Sequence, residues 1–288
     1  MVRIQDIPEI RLHYPQEIAK RLASRAPGTL PKDGRKIMII ACDHAARGAL
    51  GAGRDPMSMA NRTELLERCV AALSRPGVDG FLGTADLVED LTLLGALENK
   101  LVFGSMNRTG LQGATFEIDD RFGCYTPEAI AESNLDGGKT LTRICFEDPS
   151  TPRTLAATAQ AINSLSIRKK IAMVEPFISR WKDGKIVNDL TPDAVIKSIT
   201  IASALGETSA YTWLKLPCVS DMERVMESTT LPSLILGGEV SKDPENTLNS
   251  WAKAVALPNV CGLVIGRSLL FPPDGDVQTA VDNAVELL

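Results

Sequence analysis

Short apolar segments alternate with longer amphipathic segments along most of this chain. A strand buried on both faces gives such a continuous apolar run, whereas a surface helix places its apolar residues three or four positions apart. The predicted strands are Lys36–Cys42, Asp79–Gly83, Lys100–Met106, Lys139–Phe146, Lys170–Pro176, Tyr211–Leu216, Pro232–Leu236 and Val260–Ile265. The predicted helices are Asn61–Ser74, Ala85–Glu98, Pro127–Asn134, Pro152–Leu165, Pro192–Leu205, Asp221–Ser228, Pro244–Val255 and Val277–Leu287.

This regular alternation predicts an α/β fold with a parallel sheet. Eight strand–helix units in roughly 250 residues is the size of a closed (β/α)8 TIM barrel. An open doubly wound sheet is the alternative, but no G-x-G-x-x-G turn follows the first strand and no P-loop is present. We therefore predict a (β/α)8 barrel catalytic domain over residues 35–288. Residues 1–34 are predicted to form a short N-terminal extension with one helix at Pro15–Ser24.

Composition narrows the classes of function. The net charge of −5 argues against a nucleic-acid or polybasic membrane partner, and no apolar run is long enough for a membrane-spanning helix. The first residues lack the apolar core of a secretory signal, and the six cysteines form no C-x-x-C pair. These features predict a cytoplasmic protein. Only His13 and His44 are present, so a histidine-rich metal site is excluded within one chain and we predict neither metal nor other cofactor.

Lys215 is the most unusual residue of the predicted strands. It lies inside the apolar segment Tyr211–Leu216, where a buried parallel strand normally carries no charge. Burial and a nearby cation lower the pKa of a lysine, and a neutral amine can attack a carbonyl group to form an imine. The alternative is an ion pair between Lys215 and an acid such as Glu175, without chemistry.

Other charged residues lie at strand ends, where TIM barrels place their active sites. Glu175 lies at the end of the fifth strand. Desolvation there would raise the pKa of its carboxyl group and make it suitable for acid–base catalysis. The alternative is that Glu175 is a structural partner of a lysine or arginine. Asp43 follows the apolar run of the first strand, where it is either a site residue or a cap of the next turn.

On the fourth strand Lys139 and Arg143 share one face. We expect Lys139 to be a solvated strand start and Arg143 to supply the cation near Lys215.

Glycines follow the last two predicted strands. Gly237 and Gly238 follow the seventh strand, and Gly266 and Arg267 follow the eighth. Glycine lets the backbone approach an anion closely, and the loops after these two strands are the usual phosphate site of this fold. We therefore expect these four residues to bind a phosphate group.

The order of these motifs resembles that of class I tagatose-bisphosphate aldolases and, more loosely, class I fructose-bisphosphate and deoxyribose-phosphate aldolases. The resemblance covers about residues 36–271. The first motif is Asp43 followed by Arg47-Gly48-Ala49-Leu50, which resembles Asp-x-Arg-Gly-x-Leu with two extra residues between the aspartate and the arginine. The other motifs are Arg108-Thr109-Gly110, Val174-Glu175-Pro176, Lys215-Leu216-Pro217, Gly237-Gly238 and Gly266-Arg267.

The resemblance implies a (β/α)8 barrel enzyme that forms a lysine imine with a small phosphorylated ketose or aldose. The two extra residues in the first-strand motif and the long loop after the third strand suggest a substrate other than tagatose bisphosphate, for example a phosphorylated sugar acid. Carried over by position, Lys215 is the nucleophile, Glu175 the acid and base, and Asp43 a helper in carbinolamine and proton handling. Gly238, Gly266 and Arg267 would hold the phosphate.

The fourth strand departs from the family pattern. The family has a lysine there, but an ungapped alignment places Thr142 opposite that lysine and Arg143 one position away. Which of the two faces the site is therefore open. Two other functions also stay open: an isomerase or epimerase that uses no imine, and a non-catalytic barrel that binds sugar phosphates. The extension could cap the bottom of the barrel or make a contact between subunits of a homo-oligomer.

Overall fold

Eight parallel strands close into a barrel in the computed structural model, which describes residues 2–32, 34–238, 240–241 and 243–288. Neighbouring strands follow the order β4-β3-β2-β1-β9-β8-β7-β5, and β5 pairs with β4 to close the ring. The predicted (β/α)8 barrel is confirmed. The strands are β1 (Ile37–Cys42), β2 (Gly80–Gly83), β3 (Leu101–Ser105), β4 (Gly137–Ile144), β5 (Ile171–Lys182), β6 (Lys185–Asn188), β7 (Thr212–Pro217), β8 (Ser233–Leu236) and β9 (Val260–Ile265).

Helices cover the outside of this barrel and also form much of the extension. They are α1 (Ile7–His13), α2 (Gln16–Ser24), α3 (Arg62–Leu73), α4 (Ala85–Leu93), α5 (Pro127–Glu132), α6 (Thr151–Ile167), α7 (Pro192–Ser203), α8 (Met222–Met226), α9 (Pro244–Val255), α10 (Arg267–Leu270) and α11 (Val277–Val285). Short 3₁₀ turns lie at Ile4–Asp6 and Ala45–Arg47. None of the helices in the described ranges has the length and apolarity needed to cross a membrane.

Side chains alternate between the barrel interior and the helix layer along each strand. In β1, Ile37, Ile39 and Ala41 pack in the interior cluster, while Met38 and Ile40 pack in the larger cluster beneath the helices. Because the side-chain period of a strand is two, the next residue on the interior side is Asp43. The same alternation places one charged side chain from each of several strands inside the barrel.

Strand β4 begins two residues earlier than the sequence predicts. Gly137 and Gly138 pair with β3 and β5 although glycine favours strands weakly. The strand needs glycine there, because a Cβ on Gly137 would collide with the carbonyl oxygen of Ile171. Lys139 is therefore the third residue of the strand, and its relative exposure is 0%. The prediction that Lys139 is a solvated strand start is wrong.

Strand β5 is longer than predicted and forms a hairpin with β6. The chain continues past Pro176 to Lys182, turns at Asp183 and Gly184, and pairs antiparallel with β6. Both turn residues have positive φ, +50° and +72°, which is the conformation that a tight hairpin requires and that the Asp-Gly pair favours. The hairpin therefore lies at the C-terminal end of the barrel.

The N-terminal extension packs against the opposite end of the barrel. Arg25 is buried, and its guanidinium donates hydrogen bonds to the carbonyl oxygens of Leu97, Lys100 and Asn134 at 3.3, 2.7 and 2.6 Å. These carbonyls lie just before β3 and β4. Arg25 thus links the extension to the N-terminal ends of β3 and β4. The predicted helix at Pro15–Ser24 is confirmed as α2, and α1 is an additional helix before it. Met1 and Asp33 of the extension lie outside the described residues.

Replacing Arg25 by methionine should destabilise the protein. Three carbonyl groups, one buried and two partly buried, would lose their donor, which costs about 2–4 kcal/mol of unfolding free energy. Urea unfolding of the Arg25→Met variant measures this loss. The control is Arg21→Met on the exposed face of α2, which we expect to change stability by less than about 0.5 kcal/mol. Equal stability of the two variants would contradict this role of Arg25.

Candidate active site

All eight residues predicted for the site line one cavity of about 650 Å³ at the C-terminal ends of the barrel strands. Four of them carry side chains suited to chemistry, and four form the glycine turns. They are Asp43, Arg143, Glu175, Lys215, Gly237, Gly238, Gly266 and Arg267. The β5–β6 hairpin contributes Ile186, Val187 and Asn188 to the same wall.

Lys215 faces the interior because of its position in β7. Its neighbours Leu214 and Leu216 pack under the helices, so Lys215 points to the opposite side. Its Nζ lies 3.3 Å from Oε1 of Glu175. In β5, Val174 packs outward and Met173 inward, so Glu175 also faces the interior.

Lys139 links Glu175 to Asp43. Its Nζ contacts Oε2 of Glu175 and lies 3.3 Å from Oδ2 of Asp43. Opposite charges therefore alternate along Lys215, Glu175, Lys139 and Asp43. Lys139 itself is fully buried below the cavity, whereas Lys215 and both carboxylates line the cavity wall. We call these four residues, together with Arg108, the inner charge cluster.

Arg108 and Ser105 complete the surroundings of Asp43. Arg108 forms an ion pair with Oδ2 of Asp43, and its Nε donates to Ser105 Oγ at 3.0 Å. Ser105 Oγ in turn donates to Oδ2 of Asp43 at 2.9 Å. The other oxygen, Oδ1, is buried and has no hydrogen-bond partner among the described residues. One oxygen of Asp43 is thus held by the protein, and the other keeps an unused capacity to accept a hydrogen bond.

Arg143, not Thr142, faces the cavity. Thr142 Oγ1 lies 3.2 Å from Thr158 Oγ1 of α6, on the outside of the barrel. Arg143 points inward but is separate from the inner charge cluster, since its ion pairs are with Glu117 at 3.0 Å and Asp120 at 3.7 Å. The cations that lower the pKa of Lys215 are Arg108 and Arg267, so the expectation that Arg143 plays this part is wrong.

Burial lowers the pKa of Lys215 from the ordinary lysine value. Glu175 opposes this shift, and Arg108 and Arg267 add to it. The amine is therefore more easily deprotonated than a solvated lysine.

Glu175 shifts in the direction opposite to the one expected from its sequence context. Burial alone would raise its pKa, but Lys139, Lys215 and Arg108 outweigh burial and hold the pKa well below its usual range. The sequence does not show how many cations meet one carboxylate, which is why the sign of the expected shift is wrong.

His44 is a further cavity residue that the sequence pattern did not single out. It follows Asp43 directly and packs beside Gly266, where a Cβ would come within 2.8 Å of its ring. Burial holds its pKa well below 6.5, and the charges of Arg267 and Lys215 act in the same direction. His44 is therefore neutral at physiological pH.

Besides His44, three residues around Asp43 and Glu175 were missed at the sequence level: Lys139, Arg108 and Ser105. Lys139 has the same strand parity as Arg143, and this parity is the signal that could have placed it inside the barrel. Arg108 lies in the motif that resembles Lys-Thr-Gly of the aldolases. Ser105 ends β3 and left no signal in the sequence.

Metal ligands are not gathered in the described ranges: no group of three or more His, Cys, Asp and Glu side chains there could hold a metal ion. The site consists instead of amines, guanidinium groups and carboxylates. Such a set can form an imine, move protons and bind anions.

Comparison with solved structures gives one very similar protein and several distant ones. The crystal structure of Cgl0159 from Corynebacterium glutamicum is 51% identical, with a TM-score of 0.95 over 98% of this chain and 95% of that chain. A Schiff-base-forming fructose-1,6-bisphosphate aldolase, studied through its reaction intermediates, is 17% identical, with a TM-score of 0.65 over 94% of this chain and 99% of that one.

A second distant structure is an archaeal fructose-1,6-bisphosphate aldolase whose catalytic lysine is covalently bound to a carbinolamine intermediate. It is 17% identical, with a TM-score of 0.65 over 94% of this chain and 98% of that chain. At such low identity these two likenesses show a shared fold and no more.

A comparison with curated protein sequences gives no match. The sequence model of the Cgl0159-like family, in contrast, matches residues 35–285, which is nearly the whole barrel. Together with the 51% identity to Cgl0159, this match shows that the chain belongs to the Cgl0159-like family.

Proposed function

We propose that this protein is a class I aldolase, which makes or breaks a carbon–carbon bond in a small phosphorylated sugar or sugar acid through an imine on Lys215. The observation that carries the proposal is the buried amine of Lys215 on the cavity wall, 3.3 Å from Glu175. An imine requires an amine that is neutral part of the time and a nearby group that moves protons. The sequence resemblance to class I aldolases and the fold shared with two Schiff-base aldolases support the same class.

Charge balance in the inner charge cluster favours one neutral lysine. The three cationic groups are those of Lys139, Lys215 and Arg108, and they meet only the two carboxylates of Asp43 and Glu175. Burial lowers the pKa of both lysines, and that of Lys139 well below its ordinary value, because one proton would be a surplus charge in a buried place. The position of each amine then decides which lysine can attack a substrate. Lys139 has the poorer position for attack, because it is fully buried beneath both carboxylates. This argues for Lys215 as the nucleophile.

The first chemical step is attack of the Lys215 amine on the substrate carbonyl. The new C–N bond gives a carbinolamine as the nitrogen loses a proton and the former carbonyl oxygen gains one. Glu175 is placed to carry the proton from nitrogen to the former carbonyl oxygen, which becomes the carbinolamine hydroxyl. A second proton, taken up from solvent and delivered by Glu175, lets this hydroxyl leave as water and forms the iminium. While the nitrogen is uncharged in the carbinolamine, Glu175 faces one cation fewer than it does beside a protonated Lys215. Its pKa is then higher, so it is more readily protonated, as a proton donor must be.

The second step breaks the carbon–carbon bond. The iminium withdraws the bonding electrons and becomes an enamine, while the hydroxyl of the departing fragment loses its proton to form an aldehyde. Asp43 is our candidate for the base, because this residue lines the cavity and its buried Oδ1 has no hydrogen-bond partner among the described residues. Protonation of the enamine by Glu175 and hydrolysis of the resulting iminium release the second product and restore Lys215.

The glycine turns after β8 and β9 would hold the phosphate of the substrate. Gly237, Gly238, Gly266 and Arg267 line the cavity on the side next to Lys215. Gly238 has φ +69°, which is a conformation that favours glycine, and backbone without a side chain lets an anion approach the N–H groups. In this arrangement the phosphate fixes one end of the substrate, and the carbonyl lies at Lys215.

Borohydride in the presence of dihydroxyacetone phosphate should attach the three-carbon phosphate to Lys215. Reduction converts the transient imine to a stable secondary amine, which intact-mass and peptide mass spectrometry locate on the chain. We expect no adduct in Lys215→Met, and an adduct that forms more slowly but still on Lys215 in Lys139→Met.

Other outcomes of the trapping experiment separate the rival functions. Turnover of a sugar phosphate without a reducible adduct would favour an isomerase or epimerase in which Glu175 and Lys215 act as acid and base. Ligand binding with neither adduct nor turnover would favour a non-catalytic sugar-phosphate-binding barrel. An adduct on Lys139 would overturn the assignment of the nucleophile.

The rate of borohydride trapping should rise with pH, and the midpoint of this rise should lie at the lowered pKa of Lys215. Only the deprotonated amine attacks, so the rate reaches its plateau below the ordinary lysine value of 10.5. Arg108→Gln removes a cation that lowers this pKa, so the midpoint should move to higher pH and the rate at neutral pH should fall.

Initial trapping rates measured from about pH 6 to about pH 11 give both midpoints. The matched control is Arg121→Gln, because Arg121 pairs with Asp119 and is exposed outside the cavity. We expect this control to keep the wild-type midpoint. A midpoint that moves to lower pH in Arg108→Gln would contradict the electrostatic account.

A further inference from the structure

A second group of charges lines the cavity on the side of β4. Oε1 of Glu117 accepts hydrogen bonds from Arg47 and Arg143, both at 3.0 Å. Arg47 lies in the 3₁₀ turn after β1, and Glu117 lies in the long loop between β3 and α5. All three residues line the same cavity as Lys215. We call them the outer charge cluster; the aldolase chemistry described above uses none of them.

The barrel topology places the outer charge cluster opposite the glycine turns. From β4 to β9 there are four steps around the ring in either direction, so the two strands face each other across the barrel. Arg143 is the last but one residue of β4, and Gly266 follows β9 directly. Lys215 on β7 is two strands from each. A substrate with its phosphate at Gly266 and its carbonyl at Lys215 therefore extends its other end toward Arg143.

The outer charge cluster has an excess of positive charge on the cavity wall. Two guanidinium groups share one carboxylate there, while Asp120, 3.7 Å from Arg143, is buried behind the wall and does not line the cavity. Nε of Arg143 is also buried without a hydrogen-bond partner among the described residues. Buried donors normally have partners, so this atom points to a missing acceptor. The three cavity-lining residues carry one net positive charge among themselves, and Asp120 offsets it only from behind the wall. A monoanion in the cavity would meet both guanidinium groups directly.

A carboxylate fits this place better than a second phosphate. Guanidinium groups bind planar carboxylates through paired hydrogen bonds, and a single negative charge matches the single excess positive charge. A phosphate carries more charge, and the outer charge cluster lacks the glycine turns that the β8 and β9 side offers.

We propose that Arg143 and Arg47 bind a carboxylate at the end of the substrate remote from its phosphate. The inference rests on the proposed function for the place of the carbonyl, and it names the substrate class as a phosphorylated keto sugar acid. Glu117 then acts as a positioning residue that holds both arginines when the cavity is empty.

Binding of three matched six-carbon probes tests the subsite. 6-Phosphogluconate and glucitol 6-phosphate share a phosphate and differ at the other end, which is a carboxylate in the first and a hydroxymethyl group in the second. Calorimetric titration of the wild-type protein should show at least about tenfold tighter binding of the acid. In Arg143→Gln the ratio of affinities should fall to about one to three, while glucitol 6-phosphate should keep its affinity within about twofold.

Two further variants keep the test decisive if Arg143→Gln folds poorly. Arg47→Gln should reduce the ratio in the same direction, and the exposed control Arg121→Gln should leave it unchanged. Equal affinity of the wild type for both probes, no binding of either, or a ratio unaffected by both cavity variants would overturn the proposal.

The third probe, glucitol 1,6-bisphosphate, distinguishes a carboxylate site from a phosphate site. Tighter binding of this probe than of 6-phosphogluconate, lost in Arg143→Gln, would overturn the carboxylate assignment. None of the probes has a carbonyl group, so their binding does not depend on an imine. Borohydride trapping therefore tests the aldolase proposal, and probe binding tests the carboxylate subsite, so either proposal can fail without the other.

Discussion

Charge balance inside the barrel is the constraint on which the proposed chemistry depends. Asp43 and Glu175 can be buried only because Lys139 and Arg108 contact them, and Glu175 is then shared between Lys139 and Lys215, so the cluster has one proton more than its two carboxylates balance. Glu175 meets both lysines and so is the one group that can move a proton between Lys215 and a substrate. The inner charge cluster thus provides both the nucleophile, Lys215, and its base, Glu175.

The barrel supplies the positions that this arrangement needs. Every member of the inner charge cluster lies on or directly after a strand, or in the loop that follows β3, and interior parity fixes the direction of each strand side chain. A shift of one residue in β4 would turn Lys139 toward the helices and leave the carboxylates of Asp43 and Glu175 facing each other. Gly137 and Gly138, directly before Lys139, set that register through their close contacts with β5 and with Met106.

Much of the fold and of the candidate site could be predicted from the sequence, and each wrong or missing prediction has a physical cause. The alternation of apolar and amphipathic segments predicted the eight barrel strands. Lys215, Glu175 and Asp43 were predicted as site residues because a charge in an apolar strand is costly to bury unless it is paired. Lys139 was missed because two glycines before it resemble a turn, although here they belong to the strand. The pKa of Glu175 was given the wrong direction because local sequence shows burial but not the lysines and arginine that three-dimensional packing brings to it. The extension of β5 beyond Pro176 depends on pairing with β6, which a pattern of buried strands does not reveal.

A crystal structure of the protein after borohydride reduction with dihydroxyacetone phosphate tests the central claim most directly. The account predicts a single bond between Nζ of Lys215 and the former carbonyl carbon, with Glu175 within hydrogen-bonding distance and the phosphate against Gly238 and Gly266. A covalent bond to Lys139, or a ligand held without a covalent bond while Lys215 keeps its contact with Glu175, would contradict it.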